Sequence, residues 1–93
     1  MALTFHIPSY LAAFAGDSNS LSLDGSPATM RDALAALWVL HPGLRDRVVD
    51  EQGEVRQHIN IFVGNECIRF ADGLATPVPD GSEVLIVPAV SGG

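Results

Sequence analysis

The group in this chain best suited to chemistry is its last one. The sequence reaches Ser91-Gly92-Gly93 directly after the apolar run Val84-Leu85-Ile86-Val87-Pro88. Glycine carries no Cβ, so an extended Gly92-Gly93 fits a slot too narrow for any side chain. The Gly93 carboxylate sits on an unhindered carbon, which reads as a substrate for another enzyme rather than as part of a catalytic centre. At about 3.3–3.6 Å per residue, Pro88 to Gly93 reaches roughly 20 Å. Pro88 stiffens the root of that tail, and Ala89, Val90 and Ser91 are small enough to follow Gly92 through a channel.

Other reactive side chains give weaker patterns. His6, His41 and His58 are widely spaced and show no metal-ligand spacing, so structural roles are favoured and no metal is expected. Cys67 is the single cysteine, which excludes an internal disulfide. It reads as a small apolar filler beside a turn, with sulfur acceptance the lesser reading. Asp50, Glu51 and Glu54 read as a solvated charge run, and Gly64, Gly73 and Gly81 as turn glycines outside any phosphate-loop pattern. Trp38 is expected to be partly in the core.

The elements that must position the tail can be read by periodicity. Leu3, Phe5 and Ile7 alternate with Thr4 and His6 as a strand that Pro8 ends; Ser20–Leu23 alternates again and closes at Asp24-Gly25. Thr29 is an N-cap with Asp32 three residues on, and Met30, Ala33, Leu34, Leu37 and Leu40 or His41 follow at helical spacing until Pro42-Gly43. Residues 44–55 read as a solvated connection with at most one helical turn. Residues 58–63 form a third strand, Gly64-Asn65 a tight turn, Ile68-Arg69-Phe70 a short fourth strand, and Ser82–Val87 the last. One amphipathic helix covers one face of a sheet. The expected class is α+β: a mixed β-grasp, ubiquitin-like sheet with parallel first and last strands and one helix on one face. The domain is expected to span 1–87, with a tail at 88–93.

Composition bounds the rest. The 93 residues suit one domain, and 47% hydrophobic content suffices for a core without disulfides or metal. A net charge of −6 and five scattered arginines exclude a nucleic-acid footprint and suit docking on basic partners. No apolar run reaches membrane-span length, and the N-terminus lacks a signal-peptide pattern. A cytoplasmic protein, monomeric when alone, is therefore expected. There is no lysine, so a ubiquitin-like role would exclude chains built on its own side-chain amines.

Four runs carry a family resemblance: 59–66 (INIFVGNE), 68–70 (IRF), 73–78 (GLATPV) and 80–93 (DGSEVLIVPAVSGG). Together they resemble the MoaD/ThiS family of ubiquitin-like sulfur carriers. The pattern is most similar to the branch that supplies sulfur for cysteine synthesis, and departs from the molybdopterin-synthase carriers in its longer 44–57 segment. The resemblance implies that a ubiquitin-activator-like adenylating enzyme converts the Gly93 carboxylate to an acyl-adenylate. Sulfide or a persulfide donor, such as a sulfurtransferase, then leaves a thiocarboxylate. ATP and magnesium belong to that partner, and no cofactor is expected on this chain. The implied acceptor is a cysteine-synthase-like enzyme, with the large subunit of molybdopterin synthase or a thiosugar or thiazole pathway as alternatives. A protein modifier forming isopeptide bonds is the second class, and a passive interaction domain the third.

Alternation also marks a docking face. If Ile59, Ile61, Val84 and Ile86 face the helix, then Phe62, Leu85 and Val87 point outward as an apolar patch, with Phe70 and Leu74 at its border.

Overall fold

The computed structural model describes residues 2–25 and 27–88. The strands are β1 (Leu3–His6), β2 (Ser20–Leu23), β3 (Ile59–Val63), β4 (Glu66–Cys67) and β5 (Glu83–Pro88). They form one sheet in the order β2-β1-β5-β3-β4. β1 and β5 are parallel neighbours, with Phe5 opposite Val84; β3 runs antiparallel to β5, with Ile61 opposite Ile86. The expected central pair is present, and β5 lies between β1 and β3. Parallel strands cannot be joined by a hairpin, so the chain between them supplies the helical layer.

Among the described residues that layer has three helices rather than one: α1 (Ser9–Ala12), α2 (Met30–Leu40) and α3 (Pro42–Val48). α2 is the expected amphipathic helix. Thr29 caps it by accepting a hydrogen bond from the Asp32 amide at 3.3 Å, and Met30, Ala33, Leu34 and Leu37 are buried. The apolar stripe ends at Leu37: Leu40 is 56% exposed and His41 is half-buried. Trp38 packs against the core as expected.

α3 corrects the reading of 44–55 as solvated connection. Pro42 ends α2, yet it also occupies the first turn of α3, where its missing N–H costs nothing. Leu44 and Val48, one turn apart, are both fully buried. Charges at Arg45, Asp46 and Arg47 masked that spacing in the sequence. Beyond α3, the Asp50 carboxylate accepts from the Gln52 and Glu54 amides at 2.9 and 3.0 Å, closing a polar turn as the solvated run suggested.

A second correction falls at residues 68–70, which form a 3-10 turn and not a strand. The paired strand is the two-residue β4, set by the turn at Gly64, whose φ of 61° lies in the region glycine favours. Arg69 leaves the turn to donate to the Ile59 carbonyl at 3.0 Å, and Ile68 is buried beneath it. No described helix is long and apolar enough to cross a membrane.

The core lies between the sheet's inner face and the helices. Leu3 and Phe5 of β1, Ile59 and Ile61 of β3, and Val84 and Ile86 of β5 are at most 1% exposed. Leu21 and Leu23 of β2 extend this face to the sheet edge.

Candidate functional site

Because side chains alternate along a strand, burial of Val84 and Ile86 turns Leu85 and Val87 to the open face, where both are half-buried. Phe62 does the same on β3, between buried Ile61 and the end of the strand. Register joins them: Phe62 is opposite Leu85, and Asn60 is opposite Val87. The row through Leu85 crosses the whole sheet, from Ser20 to His6, Leu85, Phe62 and Cys67. The structure therefore brings together Phe62, Leu85 and Val87 as alternation predicts. Their apolar strip is flanked on β1 by His6, whose Nε2 lies 2.7 Å from Glu83 Oε1. Both members of that pair are exposed, so it adds polarity to the strip's border and little stability.

Of the two residues expected at the border, Leu74 is placed elsewhere and Phe70 stands outside the strands. Leu74 is 8% exposed and belongs to the core. It sits in a 3-10 turn, 73–75, that packs on α2, so it is not available to the open face. Phe70 is 86% exposed, but it stands on the 68–70 turn, outside the paired register of the sheet. Alternation cannot locate either residue, because neither is in a strand.

Cys67 is the residue that periodicity did not connect to this face. It is the register partner of Phe62 and a free thiol at 9% exposure. Its packing role agrees with the expectation of a small apolar filler. The signal that linked it to Phe62 was the Gly64-Asn65 turn, which fixes the hairpin register. Among the described residues, no group of three or more His, Cys, Asp or Glu is placed to hold a metal.

β5 carries the chain as far as Pro88. Its last residue, Pro88, is opposite Ile59, so the strand includes the proline read as the tail's root. Proline is suited to the end of a strand because it has no amide to donate. Ala89, Val90, Ser91, Gly92 and Gly93, to which threading and the reactive carboxylate were assigned, lie outside the described residues. What the fold supplies is a central strand, hydrogen-bonded on both sides, that holds the chain up to Pro88 beside an apolar strip on the open face.

Comparison with known proteins gives concordant likenesses. The model of the ThiS family matches residues 6–93. The chain is 36% identical to the sulfur carrier protein CysO of Mycobacterium tuberculosis over the full length of both. It is 38% identical to small archaeal modifier protein 1 of Haloferax volcanii, covering 89% of this chain and 91% of that one. Among solved structures, that of the Amycolatopsis orientalis BexX/CysO complex matches at a TM-score of 0.85 and 34% identity, covering 98% of this chain and 99% of the other.

Proposed function

This chain belongs to the ThiS family, and on that premise we propose that it is a sulfur carrier, a protein co-substrate whose Gly93 carboxylate is loaded with sulfur by partner enzymes. The observation that carries the reading is full-length similarity to a protein named as a sulfur carrier, joined to a central strand that leads to Gly92-Gly93 beside an apolar open face.

The chemistry follows from the carboxylate. It is a poor electrophile because oxide would have to leave. In an adenylating partner a Gly93 oxygen attacks the α-phosphorus of magnesium-bound ATP and pyrophosphate departs. Hydrosulfide then attacks the acyl carbon, AMP leaves with the C–O bond electrons, and a thiocarboxylate remains. With a persulfide donor the first product is an acyl disulfide, which a thiol must reduce to the same thiocarboxylate. This chain supplies the acyl group and the surfaces that present it; ATP, magnesium and the proton-transfer groups are the partner's. The favoured acceptor is an activated serine on a cysteine-synthase-like enzyme, in keeping with the similarity to CysO. A molybdopterin-synthase large subunit or a thiosugar or thiazole pathway would take sulfur from the same group.

A second reading is a protein modifier, favoured by the similarity to small archaeal modifier protein 1. Both readings activate Gly93, and they separate by product. The chain is incubated with a cognate adenylating enzyme, ATP, magnesium and sulfide, and its intact mass is read. The carrier gains the difference between sulfur and oxygen, and loses that gain when Gly92-Gly93 is deleted. Exclusive appearance of high-mass conjugates would support the modifier instead, and an unreactive tail would overturn both.

A further inference from the structure

A cleft of about 390 Å³ opens between α1, the end of α3 and the turn before β3. Its rim carries Tyr10, Phe14, Arg47, Arg56 and His58, with Asp46 beside them. The cleft holds two of the five arginines of a protein with net charge −6. Among the described residues the ion pairs are His6–Glu83 and Arg45–Asp46, so neither Arg47 nor Arg56 has a carboxylate partner there.

Both guanidinium groups are nonetheless held in place. Arg47 lies over the Phe14 ring at 4.5 Å from its centroid, a cation–π contact that holds the group against the ring. Arg56 donates from Nε to the Asp46 carbonyl at 2.8 Å, which anchors one side of its guanidinium. The Ala13–Ala15 turn that carries Phe14 packs against α3. A guanidinium fixed in this way loses less freedom on meeting a carboxylate, and its fork matches the two oxygens. Tyr10 is 53% exposed and Phe14 37%, and exposed aromatic residues beside arginine are the composition of an interface anchor.

The position decides the occupant. His58 directly precedes Ile59, the register partner of Pro88, and α1 follows the end of β1, which is parallel to β5. The cleft therefore borders the end of the sheet at which β5 stops. An enzyme that engages the chain beyond Pro88 approaches this end of the sheet. We propose that the Arg47–Arg56 cleft is a second docking site, which receives acidic side chains of the partner that accepts the tail. It places positive charge on an otherwise acidic chain, so that acidic side chains of a partner meet it there while basic ones meet the remainder. The inference rests on the tail reading only for the owner of those acidic side chains.

The test is an NMR titration of the full-length, 15N-labelled chain with an end-blocked pentaglutamate peptide at low salt, with inorganic phosphate at equal charge in a parallel arm. The expected result is shifts confined to the amides of 46–48 and 56–58 and to the Arg47 and Arg56 Nε–H signals. Added salt should weaken them. Arg47→Gln/Arg56→Gln should lower the peptide affinity at least about tenfold. Arg47→Gln alone, which removes no described hydrogen bond, should show a partial loss and covers the case in which the double variant fails to fold. No shifts, shifts spread over the whole chain, or shifts unchanged in the variants would overturn the proposal. Phosphate binding as well as the peptide would also overturn it, in favour of a small-anion site. The peptide titration reads the cleft alone and the mass gain reads Gly93 alone, so the two proposals fail separately.

Discussion

Replacing Leu85 by arginine and, separately, Ile86 by alanine sets the two faces of β5 against each other. The residues are adjacent, but Ile86 is 0% exposed in the core whereas Leu85 is half-buried on the open face opposite Phe62. Ile86→Ala removes atoms from a filled interior and leaves a cavity, at a cost of about 2–5 kcal/mol. A domain of this size loses about 4–8 °C of Tm per kcal/mol, so Tm should fall by at least about 8 °C and, at the centre of both ranges, by about 20 °C. Leu85→Arg removes only a partly exposed apolar group, and the arginine stem still covers Phe62. Its cost should stay near 1 kcal/mol, within about 8 °C. Partner binding should respond in the opposite order. A charge at the centre of an apolar docking strip removes an anchor worth about 2 kcal/mol or more, which is roughly 30-fold in Kd. Thermal melts and calorimetric titration against the proposed adenylating partner read both quantities. Equal destabilisation by the two substitutions, or wild-type affinity in Leu85→Arg, would refute the assignment of the open face to docking.

Three further outcomes are expected. Thr76 is 3% exposed, and its hydroxyl donates to the Gly73 carbonyl at 2.7 Å while accepting from the Asp72 amide at 3.1 Å. Thr76→Val should therefore cost about 1–3 kcal/mol in denaturant unfolding, because the shape is kept and the polar partners are orphaned. Thr29→Ala should cost about 0.5–1 kcal/mol, the low end for a lost N-cap, since its bond to Asp32 is long at 3.3 Å; helical ellipticity and a urea titration check it. Glu83→Gln should change Tm by less than the equivalent of about 1 kcal/mol at low salt, because the side chains of His6 and Glu83 are 42% and 67% exposed.

Much of the site's framework was legible in short-range pattern. Alternation at Leu3, Phe5, Ile59, Ile61, Val84 and Ile86 matches the buried face of the sheet, and so it also identified Phe62, Leu85 and Val87 as the opposite face. Patterning failed where an element was too short to show a period. The 3-10 turns at 68–70 and 73–75 hold three residues each, and there Ile68 and Leu74 turn inward while Phe70 turns out. α3 was obscured for a different reason: its charged residues dominate the composition, although Leu44 and Val48 carry the burial.

By itself the sequence determined the sheet's two faces, the α2 helix with its Thr29 cap, and the side-chain-free pair Gly92-Gly93. These depend on local periods and on the absence of side chains, both of which are properties of neighbouring residues. Only the tertiary structure decided that Leu74 is core, that Cys67 shares a row with Phe62, and that Arg47 and Arg56 meet beside Tyr10 and Phe14 at the end of β5. Those placements depend on which elements pack together across long sequence separations. The cleft joins α1 to residues 46–58, which become neighbours because β1, β5 and β3 are adjacent in one sheet.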